Sequence, residues 1–200
     1  MTQIESPRKR PRFRWMAAWT ASILTAAAAV LGVGFVQSTH AALKVGSSAP
    51  DFSTQGALAG KPFSFILSKA LKQGPVVLYF FPAAFTPGCT EEAHEFAEAS
   101  PEFKKLGATL IGVTAGNVDQ IAKFSATDCR NKFAVAEATP MMIKAYDVAL
   151  SFPGKSWSNR TSYVITPDGK IILAYSAMSP TGHVQNTLAA VRDYDKMHHR

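Results

Sequence analysis

Residues 76–92 read Val-Val-Leu-Tyr-Phe-Phe-Pro-Ala-Ala-Phe-Thr-Pro-Gly-Cys-Thr-Glu-Glu, and the fold turns on how this stretch is read. Val76 to Phe81 is an unbroken apolar and aromatic run, too short for a helix, which predicts a strand buried on both faces. Pro82 ends it. Thr86-Pro87 then predicts a helix start, with a hydroxyl at the cap, proline at the first helical position, and Glu91 and Glu92 close behind. Cys89 therefore falls in the first turn of a helix leaving the end of a central strand. Unpaired N–H groups and the positive end of the helix dipole favour an anion there over a neutral thiol. A cysteine on its own reads as inert core filling, since free Cys is among the most buried residue types. The strand end, the proline-bounded turn and the helix start argue together for a reactive sulfur.

The spacing Pro82-x-x-x-Thr86-x-x-Cys89 resembles the active-site signature of the peroxiredoxins, the AhpC/TSA family. The fuller string Thr86-Pro87-Gly88-Cys89-Thr90-x-Glu92 is similar to the PrxQ branch, whose members resemble bacterioferritin comigratory protein. Upstream, Gly46-x-x-Ala49-Pro50-Asp51-Phe52 looks like the opening of such a domain. The likeness extends from about Val45 to the last helix. It implies a thioredoxin-like fold, with Cys89 as peroxidatic nucleophile. Thr86 would hold the peroxide in line with the sulfur, and Pro82 would shield the pocket from water. An arginine before a late strand completes the family's site, and Arg160 in Ser158-Asn159-Arg160-Thr161-Ser162-Tyr163-Val164-Ile165 matches it.

Elementary chemistry supports each role. A thiolate attacks one oxygen of an O–O bond while charge builds on the other. A hydroxyl, backbone N–H groups and a guanidinium aimed at that site would stabilise the charge where it develops. The plainer alternatives are Thr86 as a helix cap, Pro82 as a strand stop and Arg160 as a surface charge.

The chain has two cysteines, which in an exported protein could form a structural disulfide. The resemblance implies a catalytic pair instead, in which a second thiol condenses with the sulfenic acid formed by peroxide. PrxQ-type proteins often carry this resolving cysteine five residues after the nucleophile, where this chain has His94. Other relatives carry it in the helix after the next strand, where Cys129 falls. Thioredoxin or an exported thioredoxin-like dithiol is the electron donor that the resemblance implies. A disulfide exchanger with Cys-x-x-Cys is disfavoured, because Glu92 stands three residues after Cys89. Cys89, Cys129 and His94 could be drawn together as metal ligands, but His94 reads as a solvated side chain. Flavin, haem, nicotinamide and phosphate-cradling motifs are lacking, so the expected chemistry needs no cofactor and no metal.

The formal charge is +7. Residues 1–42 hold five basic residues and one acid, which leaves 16 basic and 13 acidic residues beyond them. The basicity is thus largely a property of the leader, and a nucleic-acid partner loses support. Basic residues end at Arg14, an uncharged run of 21 residues spans Met16 to Val36, and small residues follow at Ala41-Ala42. This order is that of a signal peptide cleaved near Ala41 or Ala42. The run is also long enough to span a bilayer, so an uncleaved anchor through 16–36 is the alternative. Either way residues 43–200 are expected to be exported to the periplasm, as a monomer or weak dimer.

Along that domain, Lys44 to Leu58 reads as turns, Pro62 to Leu67 as a strand and Ser68 to Lys72 as one helical turn. The active-site helix is expected to break at Ser100-Pro101 and stop at Gly107. Ala108 to Ala115 reads as a buried strand. A helix capped by Asn117 follows, with Val118, Ile121, Ala122 and Ser125 on one face. Phe133 to Val135 reads as a strand and Met141 to Ala149 as a helix. Ser162–Ile165 and Lys170–Tyr175 form a hairpin through Pro167-Asp168-Gly169, and Val184, Leu188 and Val191 make the stripe of a last helix. Strands alternating with helices predict an α/β protein, with a central mixed β-sheet flanked by helices.

Overall fold

The computed structural model describes residues 42–198. The leader and its expected cleavage site or anchor lie outside the described residues, apart from Ala42.

Strand β3 (Val76–Phe80) lies inside a seven-stranded sheet of order β2-β1-β5-β4-β3-β8-β9. It pairs in parallel with β4 (Thr109–Thr114), which pairs in parallel with β5 (Ala134–Glu137). On its other side β3 pairs antiparallel with β8 (Thr161–Ile165), and β8 continues antiparallel into β9 (Ile171–Ser176). Side chains alternate along β3, so both faces must be covered. Val77, Tyr79 and Phe81 pack under α2 (Pro87–Lys105), α3 (Ile121–Thr127) and α5 (His183–His198). Val76, Leu78 and Phe80 pack under α1 (Leu67–Ala70) and α4 (Pro140–Ala145). The expected α/β layering, mixed sheet and closing hairpin are therefore present.

Four local expectations change. The turn-rich segment before Leu58 contains strand β1 (Ser53–Leu58), paired antiparallel with β2 (Lys61–Ile66) and with β5. Helix α2 runs through Pro101 without a break. The proline forfeits one ladder N–H and can cost about 3 kcal/mol. Phe96 and Phe103, both buried in the same apolar cluster on either side of it, hold the two halves against the sheet. Asn117 does not cap with its side chain. It adopts a left-handed backbone before a 3-10 turn (Val118–Gln120), and its Nδ2 donates to the Ala84 carbonyl at 2.8 Å. Helix α4 stops at Ala145, and the chain then forms a separate hairpin of β6 (Ala149–Phe152) and β7 (Lys155–Ser158).

Among the described residues no helix is long and apolar enough to cross a membrane.

Candidate active site

The register of the sheet explains how distant residues meet. Phe80 at the end of β3 pairs with Thr161 at the start of β8. Arg160, one residue earlier, therefore emerges beside the β3–α2 connection that carries Pro82, Thr86 and Cys89. That connection is tied down. Thr114 Oγ1 donates to the Pro82 carbonyl at 3.1 Å, the Ala84 N–H donates to the Gly116 carbonyl at 3.2 Å, and Ser158 Oγ donates to the Phe81 carbonyl at 3.0 Å. Phe85 takes a left-handed backbone with φ of 62°, an unusual conformation for a bulky residue, and its ring meets Phe124 edge-on at 5.1 Å.

Cys89 lies in the first turn of α2, as expected, and is buried. The surroundings of the sulfur differ in detail from the bare helix argument. Pro87 has no N–H, and the Cys89 N–H is spent on the Thr86 carbonyl at 3.0 Å. The charge-assisted donor at the sulfur comes from elsewhere: Arg160 Nη2 stands 3.4 Å from Cys89 Sγ. Thr86 occupies the cap position without a side-chain cap bond. Its hydroxyl donates to the Ala83 carbonyl at 3.1 Å instead, so helix capping is not its role.

Arg160 is no surface charge, being only 4% exposed. Its Nη1 pairs with Glu92 Oε2, and its Nε donates to the Met178 carbonyl at 3.0 Å. Burial opposes the guanidinium charge, but Glu92 and Cys89 outweigh it and hold the group protonated. Glu92 sits one turn after Cys89, wholly buried, and burial pushes its carboxyl up to about 8 against the opposing pull of Arg160. His183, at the start of α5, is also wholly buried, with Nδ1 3.6 Å from Glu92 Oε1. Burial pushes His183 down to about 4, so its ring is neutral at neutral pH.

Sequence reasoning assigned no role to Glu92 and did not single out His183. Glu92 could have been found from its i+3 spacing to Cys89, which puts both on one helix face. His183 carries no such signal, because a lone histidine near a helix start reads as surface.

Cys129 follows α3 in a turn, fully buried and unpaired, in the same apolar cluster as Cys89. Burial first, and then Asp128, pushes its thiol well above the usual range. His94 is 40% exposed at its side chain and approaches Asp128, with Nε2 to Oδ1 at 3.8 Å. It faces the turn that holds Cys129. Among the described residues no group of three His, Cys, Asp or Glu side chains is arranged to hold a metal ion.

The AhpC/TSA family model matches residues 45–174. A peroxiredoxin of Mycobacterium tuberculosis is 33% identical over 152 residues, covering 75% of this chain and 97% of its own. The chloroplastic peroxiredoxin Q of Sedum lineare is 32% identical over 161 residues, covering 76% and 79%. The crystal structure of peroxidoxin BcpB from Mycobacterium tuberculosis superposes with a TM-score of 0.68 at 32% identity, covering 76% of this chain and 97% of that one. Motif, architecture and relatives agree, and the chain belongs to the AhpC/TSA family, with the Bcp and Q-type peroxiredoxins among its relatives.

Proposed function

We propose that this chain is a thiol peroxidase that reduces hydrogen peroxide and organic hydroperoxides through Cys89. The observation that carries the reading is the Arg160 guanidinium 3.4 Å from a sulfur at the mouth of a helix, inside a peroxiredoxin framework. The Cys89 thiolate attacks the terminal oxygen of the peroxide. The S–O bond forms as the O–O bond breaks, giving Cys89 sulfenic acid and an alkoxide or hydroxide that takes a proton to leave as alcohol or water. Arg160 stabilises the thiolate before attack and the oxygen charge during it. Thr86 supplies a hydroxyl beside the sulfur, and Pro82 limits access of water.

Cys129 is the resolving thiol in this reading. Its sulfur attacks the Cys89 sulfenic acid, water leaves, and a disulfide forms. Both cysteines are buried, so the disulfide is open to a reductant only when the turn after α3 or the first turn of α2 opens. A thioredoxin-like dithiol returns the two electrons. The leader supports an exported, periplasmic enzyme, freed by cleavage near Ala41 or Ala42 or held through 16–36.

The test is peroxide consumption by the full chain with thioredoxin as donor, wild type against Cys89→Ser. Turnover should be lost in the variant. Equal rates would end the proposal.

A further inference from the structure

Tyr79 Oη is a wholly buried donor with no hydrogen-bond partner among the described residues. An unpaired buried hydroxyl is destabilising, and phenylalanine would fill the same space without it. Tyr79 faces Gly112 in the β3–β4 ladder, and Gly112 faces Val135 in β5. The ring leans off its own strand over Gly112, where a Cβ would lie 2.7 Å from the hydroxyl oxygen. Stacking on Phe96 at 4.4 Å and Phe81 at 5.4 Å holds it there, and Phe133 closes its side at 6.0 Å. Phe133 stands four residues after Cys129, whose own N–H is tied to the Phe124 carbonyl at 3.1 Å. In this apolar cluster the described side chains with a polar or sulfur atom are Tyr79, Cys89 and Cys129.

We infer that Tyr79 donates its hydroxyl hydrogen to the Cys129 sulfur when that sulfur is deprotonated, and so supports its attack on the Cys89 sulfenic acid. The assignment rests on Cys129 being the resolving thiol, as proposed above.

A neutral thiol is a weak acceptor, so the hydroxyl stands free in the reduced protein. A buried thiolate is a charged acceptor and draws a nearby donor strongly. The other charged groups give Cys129 little help. Asp128 beside it opposes ionisation, as burial does, and His94 is turned toward Asp128. Tyr79 itself keeps its hydrogen: burial, then Cys129, Glu92 and Cys89, push its hydroxyl well above the usual range against the pull of Arg160. In the step, Cys129 gives up its proton and its sulfur attacks the sulfenic sulfur. The S–S bond forms as the S–O bond breaks, and the departing hydroxide takes a proton to leave as water. Tyr79 gains and loses no proton, and its dipole steadies the charge on the attacking atom.

Tyr79→Phe keeps the ring and its stacking and removes only the oxygen. The reduced full chain is mixed with about one equivalent of hydrogen peroxide, and acid quenching with peptide mapping times the two steps separately. Oxidation of Cys89 should stay within about twofold of wild type, while the Cys89–Cys129 disulfide should form about tenfold more slowly. At excess peroxide the fraction of Cys89 carried on to sulfinic acid should rise by about the same factor, because slower resolution competes less well. Equal disulfide rates in variant and wild type, or equal slowing of both steps, would overturn the role of Tyr79 and leave the Cys129 assignment standing. A wild-type chain that forms no Cys89–Cys129 disulfide would overturn both.

Discussion

Arg160 Nη2 reaches Cys89 Sγ at 3.4 Å across 71 positions of sequence, while Nη1 and Nε of the same guanidinium are held by Glu92 and the Met178 carbonyl. Three acceptors, on α2 and on the segment after β9, use three nitrogens of one planar fork. The guanidinium therefore meets the sulfur in one orientation. A lysine would keep the charge but could not satisfy the three directions together. Arg160→Lys should lower the second-order rate of Cys89 oxidation by about 100-fold, and Arg160→Gln by more. Stopped-flow oxidation of the reduced protein by peroxide measures both. A lysine variant within about threefold of wild type would show that charge alone suffices.

Thr86 offers a cleaner separation of shape from chemistry. Its hydroxyl donates to the Ala83 carbonyl at 3.1 Å, so the hydrogen is committed and the oxygen lone pairs remain to accept from a peroxide O–H. Thr86→Val keeps the branched shape and loses the oxygen, and its oxidation rate should fall about 100-fold. Thr86→Ser should stay within about tenfold of wild type, since the donor and acceptor survive. Similar losses in both variants would reassign Thr86 to packing.

Pro82, Thr86 and Cys89 were legible in the sequence because a strand–turn–helix unit is local and the three lie within one continuous segment. Arg160 was reachable only through its likeness to a family pattern, since nothing local says that β8 runs antiparallel beside β3. The approach of His183 to Glu92 was not legible at all. It depends on how α5 crosses the sheet, and a single histidine gives no periodic signal. Strand β1 was hidden by its composition, Ser-Thr-Gln-Gly-Ala-Leu, which reads as a turn. Its pairing with β5 brings Gly56 against Ala136, where a side chain would strike the neighbouring strand. The continuity of α2 through Pro101 shows tertiary burial overriding a local breaker.

The turn that holds Cys129 is fastened to α2 by contacts that are individually weak. His94 approaches Asp128 at 3.8 Å, Arg130 pairs with Glu98 at 3.0 Å, and Ser100 Oγ donates to the Lys132 carbonyl at 3.3 Å. Arg130 and Asn131 both have left-handed backbones, with φ of 50° and 59°, which adds strain to the same turn. Exposed pairs of this kind contribute about 0.2–1 kcal/mol each. Glu98→Gln should therefore speed native-state alkylation of Cys129 by about two- to fivefold with little change in Tm. Cys129→Ser should still oxidise once at Cys89 but fail to sustain turnover, and Cys89 sulfinic acid should accumulate in mass spectra. Sustained turnover with thioredoxin would remove Cys129 from the cycle.

The Tyr79 hydroxyl is buried without a partner among the described residues. The ring is held by stacking on Phe96 and Phe81, with centroid distances of 4.4 and 5.4 Å, and by the space above Gly112. A Cβ at Gly112 would lie 2.6 Å from Tyr79 Cζ. Tyr79→Phe removes an unsatisfied polar atom and keeps the stack, so stability should rise by about 1 kcal/mol in chemical denaturation. Gly112→Ala should destabilise by about 1–3 kcal/mol, because neither the ring nor the β3–β4 pairing can move aside cheaply. A Tyr79→Phe variant less stable than wild type would mean that the hydroxyl has a partner, such as an ordered water.

The Glu92–His183 pair also predicts how stability changes with pH. Glu92 is raised from an ordinary value of 4.5 to about 8, so its contribution is fully present below 4.5 and is lost as pH rises through 8. His183 is lowered from 6.5 to about 4, so its contribution is present above 6.5 and is lost as pH falls through 4. Between 4.5 and 6.5 the two slopes oppose each other. Above 6.5 only Glu92 acts, and stability should fall toward pH 8. Each unit of pH over that interval is worth at most about 1.4 kcal/mol. Tm should therefore decline by about 3–6 °C from this source between the two values. Glu92→Gln cannot ionise, so the difference in Tm between variant and wild type should widen with pH across the same interval. Thermal melts by circular dichroism, at matched ionic strength and with both cysteines reduced, measure that difference directly. Parallel curves for the two proteins would show that Glu92 is already ionised at pH 6.5, and the buried acid would have to be given up.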